Sequence, residues 1–114
     1  MDIRSRLKTR KGREVAMRII QGKRCSGKTT ALIIESNSSG LPIITATKLS
    51  ANYVAKMASE MKIDIPKPIC ILEALARGRV VGDCLIDELE SCLNVIGLRP
   101  HLVTTTIYED KDDN

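Results

Sequence analysis

Short apolar runs alternate with longer stretches of helical pattern along this chain of 114 residues. The apolar runs are rich in β-branched residues and have the length of buried strands. They cover residues 15–21, 41–47, 84–87 and 101–108. Residues 69–75 are ambiguous, because this run can open as a strand and continue as a short helix. The alternation predicts an α/β fold with a small, mostly parallel sheet flanked by helices.

Three helices are predicted between these strands. Residues 28–36 have helical composition and end in the polar stretch NSSG, which stops a helix. Ser50 can cap the second helix, and four of its apolar residues recur at a spacing of four to form one apolar face. These are Leu49, Tyr53, Met57 and Met61. The third helix covers residues 88–96 and stops at Gly97.

The composition restricts the core and the chemistry of the chain. There is no Phe or Trp, and the only tyrosines are Tyr53 and Tyr108, so the core must be aliphatic. The same scarcity leaves almost nothing for base stacking on aromatic side chains. The four cysteines lack a paired CxxC spacing, which indicates reduced thiols in or near a core. They are Cys25, Cys70, Cys84 and Cys92.

The net charge of +4 is unevenly distributed. Residues 1–30 contain ten Lys or Arg against two acidic residues, a net charge of +8, so the remainder carries −4. A basic segment of this density is typical of binding to a phosphate backbone, although a solvated terminus is an equally good interpretation. No apolar run approaches a membrane span, and charges interrupt residues 1–13, so we expect no membrane partner, no signal peptide and a cytoplasmic location.

One motif carries specific chemistry. Residues 22–29 read GKRCSGKT and match the pattern G-x-x-x-x-G-K-[ST] at each fixed position, after a predicted strand and before a predicted helix. The glycines let successive N–H groups point inward, and the helix adds its positive end, so the loop can hold phosphate. We expect Lys28 to reach the β- and γ-phosphates and Thr29 to offer its hydroxyl to Mg²⁺. The expected nucleotide-binding residues are Gly22, Lys23, Arg24, Cys25, Ser26, Gly27, Lys28, Thr29 and Thr30.

An acidic pair closes the predicted strand at residues 84–87. Asp87 can hold the magnesium shell opposite Thr29, and Glu88 can polarise an attacking water. Glu88 and Lys28 are therefore the candidate catalytic residues, although Glu88 could instead serve the helix dipole. Thr105, within the run at residues 104–106, is a candidate sensor of the γ-phosphate or simply a β-forming residue. The absence of a guanine-type NKxD motif favours ATP and leaves the base preference open.

These elements in this order resemble the ASCE class of P-loop NTPases. GKRCSGKT is similar to its Walker A motif, and CLIDE, residues 84–88, is similar to its Walker B motif. Within the class the chain most resembles the first core of helicases and viral DNA-packaging terminases. Residues 44–58 are located where those proteins contact nucleic acid, and VTTT, residues 103–106, is located where they carry a sensor motif.

The resemblance implies a three-layer P-loop fold over residues 15–108, between a basic arm at 1–14 and an acidic tail at 109–114. It further implies an ATPase that uses Mg²⁺ and acts on DNA or RNA, from a virus or mobile element, in the host cytoplasm. The second core that supplies arginines in helicases is not seen here, so we expect a homo-oligomer or a partner protein. The candidate arginine fingers are Arg77, Arg79 and Arg99.

Two other functions remain open at the level of the sequence. The phosphate loop also resembles that of thymidine kinases, whose second acidic motif reads DE as it does here. Those nucleoside kinases carry an additional zinc-binding lid. The cysteines of this chain lack the paired spacing that a zinc site of this kind has. A non-catalytic nucleotide-binding module that assembles with another protein is the third possibility.

Overall fold

The computed structural model describes residues 17–23, 27–76 and 82–105. The predicted basic arm, the acidic tail and the ends of two predicted strands lie outside these ranges, as do Arg24, Cys25, Ser26, Arg77 and Arg79. The chain divides into two units. The larger is Lys23–Leu102, and the smaller combines Met1–Gly22 with Val103–Asn114.

Helices and strands alternate through the larger unit. Those in its described part are α1 (Lys28–Ser39), β1 (Ile43–Thr45), α2 (Lys48–Glu60), β2 (Ile69–Cys70), α3 (Ile71–Ala76), β3 (Leu85–Ile86) and α4 (Leu89–Val95). The predicted helix at residues 28–36 is confirmed and extends to Ser39, where Gly40 caps it at a φ of 74°. The ambiguous run at residues 69–75 opens as a strand and continues as a helix.

The three strands form a parallel sheet in the order β2-β1-β3. Ile44 is paired with Ile69 on one side, and Ile43 with Leu85 on the other. Every residue of the central strand β1 is buried, as expected for a parallel strand covered by helices. Because the strands are parallel, the turns that follow β1 and β3 lie at the same edge of the sheet.

The core lies where α1 and α2 meet β1. It is built from Ile33, Ile43, Val54 and Ala58, with Leu85 of β3 packed against it. The core is aliphatic, as the composition requires. The structure is therefore a small α/β fold with a three-stranded parallel sheet flanked by helices.

The predicted apolar row of α2 is confirmed only in part. Met57 and Met61 are partly buried against the core, whereas the first two residues of the row are exposed. Leu49 is 79% exposed and Tyr53 is 64% exposed. Positions four residues apart advance by about 40° around a helix of 3.6 residues per turn, so a row of four crosses from one face to another. The sheet instead receives the small residues Ala51, Val54 and Ala58. The N-cap is also not Ser50 but Thr47, whose side chain accepts from the Ser50 N–H.

The strand predictions at residues 15–21 and 101–108 are wrong for the parts that the structure describes. Residues 17–21 and 101–105 are irregular and exposed. Leu102 is 88% exposed and Val103 is 64% exposed. β-propensity measures how well a side chain packs on a paired, half-buried surface, so β-branched residues alone do not make a strand. Across the described ranges, no helix is long and apolar enough to cross a membrane.

Candidate phosphate and metal site

Gly27 places the N-terminus of α1 at the end of the phosphate-loop motif. Its φ of 86° is in the left-handed region, which glycine adopts without steric cost. No atom lies within 4 Å of the position that a Cβ would take, so the conformation and not the available space requires glycine. Within the described residues, no side chain makes a capping hydrogen bond at this N-terminus, and the first turn of α1 has no acidic residue. The positive end of α1 is therefore directed towards the loop and favours an anion there.

Lys28 connects the two described ends of the loop. Its Nζ donates a hydrogen bond of 2.8 Å to the carbonyl of Lys23. The Lys28 side chain is half-buried, whereas Lys23 and Gly27 are exposed. The ammonium group of Lys28 is therefore held close to the backbone of Lys23.

Thr29 and Asp87 meet although 58 positions separate them in the chain. The hydroxyl of Thr29 donates to Oδ2 of Asp87 at 3.3 Å. Asp87 follows β3 directly, and its N–H donates to the Ile44 carbonyl of β1 at 2.9 Å. The fold therefore brings together the hydroxyl and the carboxylate that the sequence predicts as magnesium ligands.

The carboxylate of Asp87 is in an unfavourable electrostatic environment. Partial burial is the main reason why its pKa is raised above the ordinary value, and the nearby Glu88 charge raises it further. The hydrogen bond from Thr29 and the positive charge of Lys28 act in the opposite direction. A cation bound beside Asp87 would favour the charged carboxylate and so offset the increase in pKa caused by burial and by Glu88.

Glu88 lies at the turn between β3 and α4 in a rare conformation. Its φ of 57° and ψ of 70° are left-handed, which is uncommon for a residue with a side chain. Glu88 is the N-cap residue of α4, but its side chain makes no capping hydrogen bond. The exposed carboxylate is therefore not used to cap the helix that it precedes.

Cys92 supports this turn and was not among the predicted site residues. It is 2% exposed, and its Sγ donates to the Asp87 carbonyl at 3.5 Å. Its N–H donates to the Glu88 carbonyl at 3.1 Å. The spacing of four between Glu88 and Cys92 could have indicated this contact, because such residues are neighbours on a helix. The thiols of Cys70, Cys84 and Cys92 are free, as the sequence predicted.

The described donors at this site are one hydroxyl and one carboxylate, those of Thr29 and Asp87. No cluster of three His, Cys, Asp or Glu side chains suited to a metal occurs within residues 17–23, 27–76 and 82–105. Mg²⁺ is commonly held by one or two carboxylates, with substrate phosphates and water completing its shell. Thr29 and Asp87 fit this pattern of ligands.

The remaining described residues of the predicted site are Thr30, Arg99, Gly22 and Thr105. Thr30 is half-buried in the first turn of α1, and Arg99 is exposed in an irregular segment. Gly22 and Thr105 belong to the smaller unit. The predictions for Arg24, Cys25, Ser26, Arg77 and Arg79 lie outside the described residues.

No protein-family model, curated protein or solved structure matches the chain.

Proposed function

We propose that the chain is a P-loop nucleoside triphosphatase of the three-layer type, which binds ATP with Mg²⁺ and hydrolyses it. The contact between Thr29 and Asp87 is the main support. A phosphate-loop motif and an acidic strand end are 58 residues apart, and the fold brings their side chains to 3.3 Å. A loop that merely resembled a phosphate loop would have no reason to have a carboxylate beside its terminal hydroxyl.

The N-terminus of α1 and Lys28 are the binding elements for the phosphates. The first N–H groups of a helix lack partners inside the helix, so they are available to phosphate oxygens. Lys28 would exchange the Lys23 carbonyl for the β- and γ-phosphate oxygens. This exchange leaves the ammonium group hydrogen-bonded in both states, which keeps its desolvation cost low.

Thr29 and Asp87 would hold the magnesium ion through a hydroxyl and a carboxylate oxygen. When bound, the ion neutralises negative charge on the β- and γ-phosphates. Asp87 gains most from this arrangement, because burial and Glu88 both disfavour its charge when no cation is near.

Glu88 is the residue that would accept a proton from the attacking water. The water oxygen forms a bond to the γ-phosphorus while the bond from that phosphorus to the β–γ bridging oxygen breaks, giving ADP and inorganic phosphate. The proton lost by the water passes to the Glu88 carboxylate. Because this carboxylate is exposed and caps no helix, it is free to take this role.

The test is magnesium-dependent ATP hydrolysis by the purified protein, together with nucleotide affinity. We expect Lys28→Ala to weaken binding and Glu88→Gln to retain binding but lose hydrolysis. Glu90→Gln and Lys56→Ala are matched controls, since both residues are exposed on helices and neither is in the site. ATP binding without turnover would favour a non-catalytic module, and transfer of phosphate to a nucleoside would favour a kinase.

We propose a nucleic acid as the macromolecular partner of this ATPase, because residues 1–30 carry a net charge of +8. The same assay with single-stranded DNA, double-stranded DNA and RNA tests this. Stimulation that weakens steeply with salt, and that is lost when Arg4, Arg6 and Lys8 are changed to Gln, would support it. Turnover that is indifferent to all three nucleic acids would contradict it and favour a protein partner.

A further inference from the structure

Three consecutive peptide groups around Asp87 and Glu88 are each held by one hydrogen bond. Upstream, the Asp87 N–H is bound to the Ile44 carbonyl of β1. The carbonyl of Asp87 accepts from the Cys92 thiol, and the carbonyl of Glu88 accepts from the Cys92 N–H. Cys92 thus contacts both carbonyl groups of the acidic pair from a buried position in α4.

Glu88 needs such support to keep its backbone conformation. A left-handed conformation at a residue with a side chain is strained and persists only where its surroundings impose it. The rotation of the Asp87–Glu88 peptide plane is coupled to the φ of Glu88, and the direction of its side chain follows from φ and ψ. A group that fixes the Asp87 carbonyl therefore also restrains the Glu88 carboxylate.

We propose that Cys92 is a positioning residue, whose thiol fixes the peptide between Asp87 and Glu88 and so directs the Glu88 carboxylate. The inference deepens the proposed function and rests on it for its kinetic consequence.

Two substitutions separate this role from simple packing. Cys92→Ser replaces the thiol by a smaller hydroxyl that can still donate, whereas Cys92→Ala removes the donor altogether. A packing role alone would make alanine at least as good as serine, since a buried hydroxyl costs free energy that a methyl group does not. The same pair at Cys70, a half-buried cysteine of β2, is the matched control.

The first measurement is the backbone conformation of Glu88 in the nucleotide-free protein. The NMR coupling between its amide and α protons, with its backbone chemical shifts, reports φ. We expect Cys92→Ala to lose the left-handed conformation and Cys92→Ser to keep it. Unchanged Glu88 signals in Cys92→Ala, or equal changes in both variants, would overturn the proposal.

The second measurement is steady-state hydrolysis. We expect Cys92→Ala to lower kcat roughly three- to ten-fold, the effect of one hydrogen bond, with nucleotide affinity unchanged and activity retained in Cys92→Ser. Equal kcat values for the serine and alanine variants would contradict the role. If the unchanged protein does not hydrolyse ATP, the proposed function fails, and the Glu88 signals still decide the role of Cys92.

Discussion

Asp87 is a candidate magnesium ligand whose negative charge is destabilised by its surroundings. Its carboxylate is partly buried beside Glu88, and both features raise its pKa. Thr29 and Lys28 offset this effect without cancelling it. Cation-binding sites commonly contain acidic groups that destabilise the protein when no cation is bound, because the positive charge of the bound cation stabilises these groups.

The raised pKa predicts that Asp87→Asn stabilises the protein when magnesium and nucleotide are absent. A carboxyl group whose pKa is raised by folding stabilises the fold below its unfolded pKa, and this contribution is lost as pH rises through the folded pKa. At neutral pH the charged Asp87 is therefore a net cost that asparagine removes. Thermal unfolding in EDTA should give a higher Tm for the variant.

The difference in Tm should shrink as the pH is lowered through the folded pKa, because the Asp87 carboxyl then becomes neutral. Glu90→Gln, at an exposed acid of α4, is the control and should leave Tm nearly unchanged. A lower Tm for Asp87→Asn at neutral pH would show that the attraction of the charged carboxylate to Lys28 and Thr29 outweighs the cost of burial and of the Glu88 charge.

At the scale of the element, α1 has glycines at both ends in the same backbone region. Gly27 has a φ of 86° at the start of the helix, and Gly40 has a φ of 74° at its end. Neither has an atom within 4 Å of the position of a Cβ. The two positions thus share a conformational requirement and differ in that only Gly27 adjoins the phosphate loop.

The shared left-handed conformation predicts that alanine at either glycine lowers the free energy of unfolding, whereas only alanine at the first one also lowers ATP affinity. Gly27→Ala and Gly40→Ala should each lower the free energy of unfolding by about 1–2 kcal/mol, the cost of a left-handed alanine. Only Gly27→Ala should also weaken ATP binding, since it alters the backbone at the N-terminus of α1. Urea denaturation and a nucleotide titration measure the two effects, and equal ATP affinity in both variants would argue against the loop as the phosphate site.

At the scale of the whole molecule, a small core positions the site. The same α1 that begins at Lys28 contributes Ile33 to the core, and β1, which binds the Asp87 N–H, contributes Ile43. Stability and site geometry therefore depend on the same few aliphatic contacts. Small domains have a small free energy of unfolding, so the removal of one core side chain costs a large fraction of it.

Adjacent isoleucines of α1 test this dependence. Ile33 is 0% exposed and Ile34 is 54% exposed. Ile33→Ala should cost about 2–5 kcal/mol of unfolding free energy by urea denaturation, and Ile34→Ala within roughly 0.5 kcal/mol. MgATP should partly restore the Tm of Ile33→Ala, because a ligand that binds only the folded state stabilises it. Similar losses at both positions would mean that Ile34 is covered in solution, for example by a second copy.

Local rules explain which elements could be predicted from the sequence. The helix at residues 28–36 and its stop at Gly40 follow from composition and from the freedom of glycine at positive φ. The runs at 41–47 and 84–87 contain β1 and β3, because β-branched residues suit a covered sheet. The apolar row of α2 predicted its buried face only in part: Met57 and Met61 pack against the core, but its fully buried residues are Ala51, Val54 and Ala58.

The sequence by itself determined which side chains are available to the candidate site, because its two motifs supply a lysine, a hydroxyl and two carboxylates. The tertiary structure alone decided their arrangement. Parallel pairing of β1 with β3 places Asp87 at the edge where α1 begins, so that Thr29 reaches it across 58 positions. Tertiary packing also selected Cys92 as the partner of the Asp87 carbonyl and left residues 101–105 outside the sheet. Contacts between distant residues depend on how elements pack, and short-range patterns carry no information about that packing.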